Sequence, residues 1–170
     1  PPAGPDEALI DRCDYPDDAA AARVWAPMKG SPPAAVALEG GTRALRLRCP
    51  FAGTDIERAS WDRAVRLDLT TCRGIQFRVL ARALDPISHF SLYLRSGAGW
   101  YSASFHPEAP GRWTTVSIDK AHTSSEGQPA GWGKIEAIRL SAWRGTDVDT
   151  ELFVADLRRV GQLGAGSSIA

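Results

Sequence analysis

Residues 135–143, IEAIRLSAW, and residues 151–160, ELFVADLRRV, separated by the turn-rich RGTDVD, decide how this chain folds. In the first, Ile138, Leu140 and Ala142 alternate with Arg139, Ser141 and Trp143, the period of two that marks a strand with one covered face. The second is apolar from Leu152 through Ala155, as a strand covered on both sides is, and then carries a carboxylate, Asp156. The pair predicts sheet structure. It also puts an arginine, a serine and a tryptophan on a sheet face that the core does not need.

Working outward, the same short β-rich runs recur between turn signals: LIDRCDY, AVALEG, ALRLRCPF, AVRLDL, GIQFRVLARA, HFSLYLR, WYSASFH and WTTVSID. Helical periodicity is confined to DDAAAARVW at 17–25. Ten candidate strands with Gly and Pro punctuation predict an all-β fold, an antiparallel β-sandwich. SGAG at 96–99 reads as a hairpin turn, EAPGR at 108–112 as another, and 123–133 as a long loop.

The chain has 170 residues and no net formal charge, which favours one domain and argues against the basic footprint of a nucleic-acid binder. No apolar run approaches the roughly 18 residues of a membrane span. Six Trp against one Met point either to a large-layered core or to a recognition face. Three cysteines allow one disulfide at most; a Cys13–Cys49 bridge and three buried thiols are both open readings. Residues 1–8 and 161–170 have linker composition, so 9–160 is expected to be the folded domain, and the chain reads as a processed product or a module cut from a longer protein.

Strand phase sorts the remaining side chains. Ile75, Phe77 and Val79 go inward, leaving Gln76 and Arg78 outward; Phe90, Leu92 and Leu94 leave His89, Ser91, Tyr93 and Arg95; Tyr101, Ala103 and Phe105 leave Trp100. Together with Arg139, Ser141 and Trp143, these predict one outer face of Gln76, Arg78, Tyr93, Arg95, Trp100 and their neighbours. Aromatic platforms beside Arg, Gln and Ser suit sugars, because a pyranose C–H face stacks on an aromatic ring while amide and guanidinium donors take hydroxyls or carboxylates. The competing reading is a solvated face with incidental aromatics, or one covered by 123–133. Several arginines and no acid among these positions lean toward an acidic glycan.

The order of the pieces resembles the β-jelly-roll carbohydrate-binding modules of the galactose-binding-domain-like superfamily. LIDRCDY resembles the family's opening strand, GGTRALRL its Gly-x-x-Leu-x-Leu strand, CRGIQFRVLA its central strand, GRWTTVSID its Gly-x-Trp element and ELFVADLRRV its closing strand. The resemblance implies a jelly roll, a polysaccharide or oligosaccharide ligand, a covalently attached catalytic domain of a glycan-degrading enzyme, and a secreted, periplasmic or extracellular setting. It further implies structural calcium on Asp156, with Asp14 or Asp11 and a carbonyl near Gly41–Thr42; Asp156 lies in phase with the inward Leu152 and Val154, where a poorly solvated carboxylate needs a partner, and an arginine pair is the other reading. Trp113 is expected to pack under a sheet edge, Trp25 to lie in the core, and Trp61 and Trp132 to rank below Trp100 and Trp143 as groove residues.

Catalysis is weighed as a rival. No His-Glu-x-x-His, Cys-x-x-Cys or Gly-x-Ser-x-Gly element occurs. Asp62, Asp119, Glu126, Asp147 and Asp149 are placed at strand ends or in loops, so no carboxylate pair of glycosidase type is expected. Tyr93, His89, Arg78 and Arg95 on one face would imitate a jelly-roll lyase. A structural or protein-interaction sandwich is the remaining alternative. The sequence favours a non-catalytic carbohydrate-binding module.

Overall fold

The computed structural model describes residues 8–161, so the expected linkers fall almost wholly outside the described residues. Among the described residues eleven strands build two facing antiparallel sheets, joined by one short α-helix and a single 3-10 turn at Lys120–His122. The six-stranded sheet runs β3 (Ala35–Glu39), β4 (Thr42–Cys49), β11 (Thr150–Val160), β6 (Gly74–Ala81) and β8 (Thr114–Asp119), with β1 (Leu9–Asp11) added on β11. The five-stranded sheet runs β2 (Trp25–Met28), β5 (Arg58–Leu67), β10 (Ile135–Arg144), β7 (Ile87–Phe105) and β9 (Ser124–Pro129). Helix α1 (Asp18–Val24) starts where the sequence placed it, its first turn capped by the Asp17 carboxylate accepting from the Ala20 N–H at 2.8 Å.

The alternation read from sequence sets the core. Leu45, Leu47, Phe77 and Val79 from one sheet meet Phe90, Leu92, Ile138 and Leu140 from the other, all buried. Phe77 packs edge-on against Phe105 at 5.1 Å between ring centres. β11 lies centrally, and its outward residues Phe153 and Ala155 are buried too, in a second small cluster with Ala44, Leu80 and Trp113. That is why its sequence is apolar on both faces.

Three local expectations are corrected. SGAG is not a hairpin: β7 passes straight through it, pairing with β10 in its first half and β9 in its second. Gly97 takes a left-handed φ of 59°, and this bulge shifts the inward phase from Leu94 to Tyr101 without reversing the chain. Gly99 serves close approach, since a Cβ there would lie 2.4 Å from the Pro129 nitrogen. The segment 123–133 is consequently not a loop over the sheet; Ser124–Pro129 forms the edge strand β9. Asp156 does not continue the inward phase of Leu152 and Val154. It sits at φ 54° in a bulge, so Leu157 turns inward instead and the carboxylate faces out.

All three cysteines are buried and none forms a disulfide. Burial pushes the Cys49 thiol up to about 12, and burial together with the Asp11 charge pushes Cys13 well above the ordinary thiol range.

Candidate functional site

The outer face of the five-stranded sheet is organised in rows, because directly opposed residues of antiparallel strands share a face. Trp143 of β10 stands between His89 of β7 and Arg58 of β5. Two residues along, Ser141 stands between Ser91 and Ser60. Two further, Arg139 stands between Tyr93 and Asp62. At about 3.3 Å per residue the first and third rows lie roughly 13 Å apart. Their large side chains lean over the middle row, so that Ser60, Ser91 and Ser141 are buried on a face that otherwise looks outward. The Ser60 and Ser141 hydroxyls are hydrogen-bonded at 2.5 Å.

In the third row, Arg139 grips Asp62 through two hydrogen bonds, Nε–Oδ1 at 2.6 Å and an NH2 nitrogen to Oδ2 at 2.9 Å. That hydrogen bonding raises the Arg139 pKa above its ordinary value. The same guanidinium lies 4.5 Å from the centre of the Trp100 ring, which Tyr93 meets edge-on at 6.1 Å. Arg95 approaches Trp100 at 5.9 Å. In the first row His89 stacks on Trp143 at 4.9 Å, and the Arg58 guanidinium lies 4.7 Å from that ring and 5.7 Å from Tyr93. The Trp143 indole N–H is buried with no acceptor.

Five of the seven residues assigned to the ligand face from sequence therefore come together: Trp100, Trp143, Tyr93, Arg95 and Arg139. Gln76 and Arg78 do not. Strand phase says which way a side chain points but not to which sheet its strand belongs, and β6 lies in the six-stranded sheet. There Gln76 bonds Ser117 at 3.1 Å, while Arg78 stacks on Trp113 at 4.8 Å and pairs with Asp156 at 3.3 Å.

The run AVRLDL predicts a strand from Ala64 and so leaves out Arg58, Ser60 and Asp62, whereas β5 starts at Arg58. The available signal was the alternation of RASWD, in which Ala59 and Trp61 mark the inward phase. Trp61 is accordingly fully buried, its indole N–H donating to the Pro32 carbonyl at 2.8 Å, and it lines no groove. Asp62 lies in mid-strand on the outer face, and Glu126 stands opposite Trp100. The face is thus not devoid of acids, and Arg139 already has its carboxylate. Trp25 is buried as expected; Trp132 stacks on Tyr101 at 3.8 Å.

The lyase constellation is dispersed. His89 and Tyr93 are four residues apart on one strand, about 13 Å, and Arg78 is on the other sheet. Two of the carboxylates expected to hold calcium, Asp156 with Asp14 or Asp11, already have cationic partners within the protein. Asp11 accepts from the Cys13 N–H, the Tyr15 hydroxyl, the Trp25 indole and the Arg63 guanidinium, which occupies its lone pairs and neutralises it. Asp156 faces Arg78 and Arg158, and Asp14 is exposed. Among the described residues no three His, Cys, Asp or Glu side chains gather about one point.

No family model matches the sequence, and no curated protein matches it. Solved structures do share its shape. The family 11 carbohydrate-binding module from Clostridium thermocellum, solved with a β-1,3-1,4-mixed-linked tetrasaccharide, superposes with a TM-score of 0.65 at 13% identity, covering 92% of this chain and 96% of that one. Part of an exo-β-agarase superposes with a TM-score of 0.67 at 11% identity, covering 92% of this chain and 25% of that one. The Caldicellulosiruptor saccharolyticus module CBM27-1, solved with mannohexaose, gives 0.54 at 11% identity over 95% of this chain and all of its own. The chain has the jelly-roll β-sandwich fold of these carbohydrate-binding modules.

Proposed function

We propose that this protein is a non-catalytic carbohydrate-binding module that holds a polysaccharide or oligosaccharide across the outer face of its five-stranded sheet. The observation that carries this is the pair of aromatic and guanidinium rows, Trp143 with His89 and Arg58, and Trp100 with Tyr93, Arg139 and Asp62, flanking a serine floor on one outward face. Rings supply apolar platforms for pyranose C–H faces, and the Arg139–Asp62 pair offers donors and acceptors together, which suits neighbouring hydroxyls. Neighbours of the same fold were solved with a mixed-linked glucan and with mannohexaose, and a further neighbour is part of an agarase. This supports a glycan ligand and attachment to a catalytic domain acting on extracellular polysaccharide. Among the described residues no helix is long and apolar enough to cross a membrane.

The test is affinity electrophoresis in gels containing mixed-linkage β-glucan, mannan, agarose or polygalacturonate. Trp100→Ala should weaken retention about tenfold, the loss of roughly 1.4 kcal/mol of stacking, with little change in melting temperature. Retention unchanged on every glycan that holds the wild type would remove Trp100 and this face from the proposal. Retention of the wild type by none of the glycans would remove the function.

A further inference from the structure

Arg58 differs from the other arginines that contact the aromatic rings of this face. Arg139 is held by Asp62, and Arg95 stays at the exposed rim of Trp100. Among the described residues no carboxylate pairs with Arg58, and its guanidinium makes ring contacts alone, 4.7 Å from Trp143 and 5.7 Å from Tyr93. These two rings belong to the first and third rows. A group lying against both crosses the serine row between them, and the buried state of Ser141 and Ser60 on an outward face agrees with such a cover. His89 stacks on Trp143 from the strand on the other side, so the indole is flanked on both faces. Its N–H has no acceptor although the atom is shut off from water, an arrangement that costs free energy until something supplies an oxygen.

We infer that Arg58 is a displaceable lid on the ligand face: its guanidinium holds the position between Trp143 and Tyr93 that a sugar ring would take, and a bound glycan must move it. This rests on the reading of that face as a glycan site. The side chain is suited to the role, since it is long and bound only by cation–π contacts, which at half-exposed positions are weak. Once it swings out, the Trp143 ring offers a stacking surface, its indole N–H gains a hydroxyl acceptor and the serine floor is reachable. Arg58 would then set affinity by competing with ligand, the opposite sign to a contact residue. The pocket beside Trp143, lined by Lys29, Asp55, Glu57 and Arg58, gives the displaced guanidinium two carboxylates to approach.

Two measurements on Arg58→Ala test this. In the gels described above, the variant should bind a glycan that holds the wild type about two- to five-fold more tightly, the equivalent of the roughly 0.5–1 kcal/mol of ring contact the ligand no longer displaces. Trp143→Ala should weaken retention, and Arg58→Ala should confer no gain in that background. Independently of any glycan, acrylamide should quench tryptophan fluorescence more strongly in Arg58→Ala than in wild type, and the increase should vanish in a Trp143→Phe background. Weaker retention of Arg58→Ala would make Arg58 a direct ligand contact and overturn the lid while leaving the glycan function standing. Unchanged quenching would overturn it whatever the gels show. If no glycan retains the wild type but quenching rises as expected, the cover over Trp143 stands and the glycan reading falls.

Discussion

Replacing Asp11 by Ala removes one carboxylate that four donors share, and the structure says which of them then suffer. The Trp25 indole keeps a second acceptor, the Tyr15 hydroxyl at 3.1 Å. The Arg63 guanidinium keeps the Ala64 carbonyl at 2.9 Å and its contact with Tyr15 but loses its counter-charge, with its side chain 24% exposed. The Cys13 N–H loses its acceptor in a buried turn. Breaking a buried pair from one side costs about 3–5 kcal/mol, and the partial exposure of Arg63 places this case at about 3. At roughly 2–4 °C per kcal/mol for a chain of this size, the melting temperature should fall by about 6–12 °C. Arg63→Met leaves the carboxylate its three remaining donors and should cost less. In a double-mutant cycle followed by urea unfolding, the two sites should couple by about 1–3 kcal/mol. Additivity within about 0.5 kcal/mol would refute the pairing. The same variants decide the calcium question. With Asp11 bound to Arg63, neither chelator nor added calcium should move the wild-type transition. A calcium-dependent rise that Asp11→Ala abolishes would show that a metal takes the carboxylate.

Three other perturbations have defined outcomes. Arg144, only 14% exposed, donates to the carbonyls of Phe51, Thr54 and Ile56 and to Asp147, tying the 50–57 segment to the end of β10; Arg144→Ala should cost about 2–3 kcal/mol in urea unfolding, and a loss under about 0.5 would deny it that role. Because the folded Cys49 thiol titrates near 12 and an unfolded one near 8.5, its contribution is intact below about pH 8 and is lost as pH rises, by up to about 1.4 kcal/mol per unit. Urea midpoints at pH 7.5 and 10 should show this fall, and it should be shallower in Cys49→Ala; equal slopes would contradict it. Gly99→Ala drives a Cβ into the Pro129 and Glu126 backbone of β9, so proteolysis should cut within 124–129 well before the global transition, and a resistant edge would mean that β9 does not pack this closely.

The parts of the fold that were legible are those fixed by period. Ile138, Leu140 and Ala142, or Phe90, Leu92 and Leu94, announce their inward direction whatever strand lies beside them, and the uninterrupted apolar run of β11 announces a covered outer face. What a period cannot carry is partnership. Gln76 and Arg78 point outward as expected, yet their strand pairs with β11 and β8, and only the register of distant strands decides that. The glycines misled for a related reason. A left-handed φ serves a turn and a bulge equally, and whether Gly97 reverses the chain depends on Ala130 bonding the Ser96 carbonyl from 34 residues downstream. Asp156 took its bulge in the same unannounced way.

The outer face acquires its character from pairings of that long-range kind. Arg139 taken alone is a cation awaiting an acidic ligand, and a cluster of such residues invites an anionic glycan. Set beside Asp62, it is a closed ion pair whose spare donors and acceptors meet hydroxyls better than they meet a second carboxylate. Trp143 taken alone is a stacking platform; between His89 and Arg58 it is a platform already occupied. Both shifts run in one direction, toward a surface whose central ion pair and stacked rings already have neighbours within the protein in the absence of ligand. On such a surface an incoming chain replaces existing contacts rather than filling vacant ones. Affinity then depends on how weakly the displaced group was held, and Arg58, lying between the two rows of rings without a carboxylate, is held there by ring contacts alone.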